Sequence, residues 1–178
     1  MKISARPRWL TPRMHIFLSE LELGEAPRWL GPDRSPFGAN CAVSRAAFDG
    51  CGGFRPGLDR VGQSLVSNGD TEFFDRVRAA GGRILYWPSA AVQHRVPATR
   101  LTREWFIRRA RAQGASDLLV DRPRARAIGL VRELPRLARV VPILVRNIVM
   151  GRGTTSAAVW LAYCRGRAGA ILGRNPRV

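Results

Sequence analysis

The residue types able to do acid–base or metal chemistry gather between Pro36 and His94. Asp70 follows Gly69 at the start of an apolar-periodic run and is followed by Thr71 and Glu72. His94 closes a β-like run, Tyr86-Trp87-Pro88-Ser89-Ala90-Ala91-Val92-Gln93-His94, and the cluster Gly50-Cys51-Gly52-Gly53-Phe54 lies upstream of Asp70. A carboxylate at a helix mouth suits general-base catalysis, because free backbone N–H groups there can orient it. A histidine at a strand end can bind a metal through a neutral ring nitrogen. Each residue also has a plain structural role. An Asp in a first turn complements the helix dipole, Glu72 and Asp75 read as solvated first-turn acids, and His94 can serve as a cap. His15 sits in an apolar helical pattern and reads as structural. The sequence contains no Cys-x-x-Cys, no His-Glu-x-x-His and no phosphate loop.

The elements that must position these groups follow from periodicity and punctuation. Apolar residues from Trp9 to Leu23 recur at roughly helical spacing, with Gly24 as a stop. Residues 25–37, rich in Pro and Gly, read as a loop. Asn40 to Ser44 reads as a short strand leading into a helical turn at 45–48, with Phe54 as a core anchor. Asp70 to Ala80 is a helix with Phe73, Phe74 and Val77 on one face, ended by Gly81-Gly82. Strands are expected at Ile84–Trp87 and Ala91–His94, then a helix from Thr102, its N-cap, to Leu119 with Trp105 and Phe106 toward the core. Past Asp121 the composition shifts. Residues 125–150 read as an Arg-rich helix interrupted by Pro135 and Pro142, with Arg132, Arg136, Arg139 and Arg146 on one face. A shorter apolar helix spans Thr155 to Leu172.

Charge bounds the partners. The 178 residues carry a net charge of +17, with Lys2 as the sole lysine. Residues 122–178 hold 12 Arg against one Glu, which favours a polyanionic partner. Leucines and valines back the Arg face, a pattern that suits an anionic bilayer surface; a helix covering the domain's own core is the other reading. Nucleic acid is disfavoured, since no stacking aromatics interleave with the charges. With 46% hydrophobic residues the chain can bury a core. Cys41, Cys51 and Cys164 are odd in number and lack metal-ligand spacing, which suits a reducing compartment. Apolar runs fall short of the ~20 residues of a spanning helix, so the expected location is cytoplasmic, peripheral at the inner face of the cell membrane.

Taken in order, Gly38-Ala39-Asn40-x4-Arg45, Gly52-Gly53-Phe54, Gly69-Asp70-Thr71-Glu72-Phe73-x2-Arg76 and Gly81-Gly82-Arg83-Ile84-x-Tyr86-x-Pro88, ending at Val92-x-His94, closely resemble the C-terminal half of family 2 glycosyltransferases of the GT-A fold. The later Trp105, Arg109 and Gln113-Gly114-Ala115-Ser116 look like the helix that follows in non-processive bacterial members. The resemblance covers about residues 5–120. It implies an α/β fold class, a partial GT-A fold lacking its N-terminal strands, followed by C-terminal amphipathic helices. Two units are expected: 1–121, the acceptor and catalytic-base part, and 122–178, a basic helical tail.

The resemblance also implies roles. Asp70 matches the base that deprotonates the acceptor hydroxyl in an inverting transfer from a nucleotide-sugar to a glycan or lipid-linked acceptor, as in cell-envelope polysaccharide synthesis. Gly38, Ala39 and Asn40 match a loop beside donor sugar and acceptor. Trp87 could offer a sugar an aromatic face, with core packing as its other role, and His94 matches a histidine that helps bind the metal–diphosphate. Two departures stand out. Gly69 replaces the acidic residue usual before the base, and the Asp-x-Asp motif that would hold Mg²⁺ or Mn²⁺ does not occur in this chain. The expectation is therefore a fragment, inactive or weak by itself, whose N-terminal half a separate chain could supply. The competing expectation is a non-enzymatic Arg-rich module that binds anionic membrane or nucleic acid.

Overall fold

A computed structural model describes residues 7–58, 65, 67–120, 134, 135, 137–151 and 153–173. After a 3-10 turn at Pro12–Leu18 the regular elements are β1 (Arg28–Trp29), α1 (Arg45–Gly50), α2 (Gly69–Ala79), β2 (Leu85–Tyr86), a 3-10 turn at Ala98–Arg100, α3 (Arg103–Val120), α4 (Val140–Val149) and α5 (Thr155–Ile171). The helix starts follow local chemistry. Ser44 Oγ accepts from the Ala47 N–H at 3.2 Å to cap α1, and Thr102 Oγ1 accepts from the Trp105 N–H at 3.2 Å ahead of α3.

The α/β expectation is incorrect. Helix accounts for 52% and strand for 3%, and that share of strand cannot make a GT-A sheet. Among the described residues the only ladder is antiparallel, Arg28 opposite Tyr86 and Trp29 opposite Leu85, extended by the Leu30 N–H donating to Ile84 O at 2.8 Å. A strand needs a neighbour to accept its backbone groups, and an isolated two-stranded ribbon is marginal in water. The expected strands at Asn40–Ser44 and Ala91–His94 find no ladder partner and form no regular structure. The N-terminal apolar periodicity yields a short 3-10 turn instead of a long helix. Arg132 and Arg136 lie outside the described residues.

Two apolar clusters form. The first joins Leu10, Met14 and Leu18 to Trp105, Phe106 and Ala110 of α3 and to Val159 and Ala162 of α5. Trp9, Phe17 and Trp105 all meet the Phe106 ring edge-on, at centroid distances of 5.4, 6.2 and 5.2 Å. The second joins Phe73, Phe74 and Val77 of α2 to Ile84. Phe54, expected as a core anchor, is 40% exposed but keeps its ring 4.6 Å from Phe73.

α3 and α5 pack backbone against backbone. A Cβ at Gly114 would run into the Tyr163 carbonyl oxygen and lie 3.1 Å from the Arg167 nitrogen; one at Gly166 would strike the Arg111 carbonyl. No flexible side chain stands at either point to move aside. Gly114→Val is therefore expected to destabilise the fold by about 2 kcal/mol or more in urea unfolding. Gly50→Ala, whose Cβ meets nothing within 4 Å, should stay within about 0.5 kcal/mol of wild type.

Candidate functional site

A cleft of about 1350 Å³ lies between the two clusters, bordered by Met14 and Phe17 on one side and by Phe54, Asp70 and Thr71 on the other. Its remaining wall comes from Arg109, Gln113 and Asp117 of α3, Arg139 and Ile143 of the α4 region, and Ser156, Trp160 and Tyr163 of α5. Polar groups converging on a partly apolar concave surface are the usual make-up of a small-molecule site.

Asp70 stands in the first turn of α2, beside the cleft. Its Oδ1 accepts from the Thr71 N–H at 2.8 Å, and its Oδ2 accepts from the Gly38 N–H at 3.0 Å. The structure thus brings together two of the residues singled out by sequence, and both backbone donors fix the direction of the carboxylate. Cys41 senses the same charge. The residue is exposed as a whole, yet partial burial of its sulfur and then the nearby Asp70 carboxylate push its thiol pKa up.

α2 holds two loops, before and after α1, through three side chains. Besides Asp70 and Gly38, Arg76 donates to the carbonyls of Cys51 and Gly53, the latter at 2.7 Å. Arg78 donates to the Arg34 carbonyl and, at 3.2 Å, to Ser35 Oγ. Glu72, expected to be solvated, is buried. Its two oxygens accept from Arg76 Nε at 2.9 Å and Nη2 at 2.8 Å, and Arg55 lies 3.1 Å from Oε1. The hydrogen bond to Glu72 is the main cause of a raised Arg76 pKa. The bidentate geometry fits a structural charge pair.

In the wall of the cleft a polar network ties the start of α2 to α3 and α5. Asn68 precedes α2 with φ +130°, unusual for a residue with a side chain. Its amide is held at both ends. Nδ2 donates to Asp117 Oδ1 at 2.7 Å, and Oδ1 accepts from Gln113 Nε2 at 2.6 Å. Arg109 donates to Ser67 Oγ at 2.8 Å and to Gln113 Oε1 at 2.5 Å. Tyr163 donates to Asp117 Oδ2 at 2.5 Å and stacks on Trp160 at 5.2 Å between centroids. Sequence reasoning picked out Arg109 and Gln113 but missed Asn68, Asp117 and Tyr163. The signal available was the spacing of Arg109, Gln113 and Asp117 at i, i+4 and i+8, which sets them in one polar stripe along the helix.

The other sequence candidates sit elsewhere. Ala39 borders the cleft, but the Asn40 side chain turns away to donate to the Ala90 carbonyl at 2.7 Å. Trp87 is 54% exposed, so it is not a core residue, and it does not border the cleft. His94 borders a smaller cavity of about 160 Å³ with Phe17, Leu18, Ser19, Ala39, Val96 and Arg100, which adjoins the cleft through Phe17, Ser19 and Ala39. Those neighbours bring no carboxylate or thiolate to a cation. Among the described residues no three His, Cys, Asp or Glu side chains converge to hold a metal. No helix among the described residues is long and apolar enough to cross a membrane. No protein-family model, curated protein or solved structure matches the chain.

The Tyr163 phenol gives the network a pH signature. Burial, followed by the charge and hydrogen bond of Asp117, raises its pKa well above the ordinary value of 10.0, with Arg167 opposing. Below pH ~10 both folded and unfolded states keep the proton and the stabilisation is complete. Above it the unfolded state releases the proton while the folded state retains it, so stability falls as pH rises. The melting temperature is expected to drop between about pH 10 and 12. Tyr163→Phe should flatten that limb, which a pH series of thermal melts would show.

Proposed function

We propose that this chain carries the acceptor-facing, base-bearing part of a family 2 type glycosyltransferase. The supporting observation is Asp70, a carboxylate oriented by two backbone N–H groups at the edge of a large cleft, one of them from the Gly38 loop. The order and spacing of the motifs around it point the same way.

On this reading Asp70 takes the proton from an acceptor hydroxyl as that oxygen attacks the anomeric carbon of a nucleotide-sugar. The bond from that carbon to the diphosphate oxygen breaks, the nucleoside diphosphate leaves with the electron pair, and the configuration inverts. Orientation of the base in the cleft supplies the proximity term. Arg34, Arg109 and Arg139 also border the cleft and favour an anionic ligand through their charge. The donor nucleotide is held by a segment or partner polypeptide outside these residues. The acceptor is a glycan or a lipid-linked sugar, and the place of action is the inner face of the cell membrane.

The chain by itself is expected to turn over no nucleotide-sugar. Joined to a nucleotide-binding half it should transfer sugar, and Asp70→Asn, which keeps the hydrogen-bond acceptor for Gly38, should slow that transfer about 10²–10⁴-fold with an unchanged circular dichroism spectrum. Wild-type rates in Asp70→Asn would remove Asp70 from the base role. Ready turnover by the isolated chain would overturn the division of labour.

A further inference from the structure

α4 has two working sides. At its start Arg139 borders the cleft, Ile143 borders it one turn on, and Asn147 is buried at 1% exposure. The opposite side is bare: Val141, Val145 and Ile148 are 64, 55 and 58% exposed. Their spacing, i, i+4 and i+7, puts them on one face. Exposed Val149, Met150, Leu134 and Leu137 add to the same end of the molecule. An apolar stripe left in water calls for a partner.

Charge indicates which one. From residue 134 to residue 178 the sequence contains no Asp or Glu, and Arg139 and Arg146 are exposed on and beside α4. A second copy would bring two basic segments, neither holding an acidic residue, against one another. The helix cannot cross a bilayer, but its length and facing suit lying along one, apolar side toward the acyl chains and polar side toward water, with the positive charge of the segment drawn to anionic headgroups.

We infer that the exposed face of α4 docks the chain on an anionic lipid bilayer and holds the cleft, which the other side of the same helix lines, against the headgroup layer. Docking stands independently of the transferase reading. Only its consequence rests on that reading, namely that the acceptor is lipid-anchored in preference to a free glycan.

The test is cosedimentation of the 178-residue chain with phosphatidylcholine vesicles containing about one-third phosphatidylglycerol. Binding is expected, weakening as salt rises from about 0.1 to 0.5 M and weak on pure phosphatidylcholine. Val145→Ser combined with Ile148→Ser leaves the charge and the buried core unchanged and should weaken binding about tenfold or more. Hydrogen exchange on the vesicles should show protection over Val140–Val149. Binding unaffected by the double substitution would overturn the inference. So would protection centred on the exposed Trp29, Leu85 and Trp87, or self-association that the double substitution abolishes, which would assign the face to a second copy. No sugar donor enters the experiment, so a failure of docking and a failure of transfer are read apart.

Discussion

The backbone contact of α3 with α5 at Gly114 and Gly166 is the constraint on which the remaining structure depends. With no Cβ at either crossing point, each helix comes within reach of the other's carbonyl groups, closer than side-chain-mediated packing allows. That approach sets Tyr163 against Asp117 and closes the first apolar cluster over Phe106, which is fully buried. It also makes α5 a wall of the cleft. Residues on both sides of residue 121 therefore build one core, and the second helix of the basic region covers apolar surface of the domain.

α2 meets a different constraint. Few backbone pairs brace the loops around the cleft, so side chains of one helix do it: Asp70 for Gly38, Arg76 for Cys51 and Gly53, and Arg78 for Arg34 and Ser35. Glu72 keeps Arg76 in position from inside the helix. Glu72 is the buried member of this pair and Arg76 the partly exposed one, and Arg55 gives Glu72 a second partner. Asp70 thus serves structure and faces the cleft at once.

The arginines divide by environment. Arg76, Arg78 and Arg109 point their guanidiniums at carbonyls, carboxylates and hydroxyls and act as braces. Arg139 and Arg146 stay exposed on the α4 helix and its start, on the side away from the apolar stripe. The same residue type serves the first group through its planar fork of donors and the second through an unconditional positive charge.

Local signals gave much of the architecture. Thr102 and Gly81-Gly82 marked helix boundaries, and Phe73, Phe74 and Val77 marked a buried face, because helices are written in contacts three or four residues apart. Strands were overestimated at Asn40–Ser44 and Ala91–His94, since a strand depends on a partner far away in sequence and the local pattern does not say whether one exists. The core readings of Phe54 and Trp87 fail for a similar reason: hydrophobicity favours burial, but the tertiary arrangement decides which rings find a cavity. From sequence alone, Asp70 stood out by its type and its place at a helix mouth. Only the tertiary structure decided that Gly38 would orient it, that His94 would sit in a second, smaller cavity, and that Asn68, Asp117 and Tyr163 would meet in the cleft wall. These pairings span 32 to 49 residues of chain, and the approach of two helix backbones through Gly114 and Gly166 sets the one between Asp117 and Tyr163, a relation no local spacing encodes.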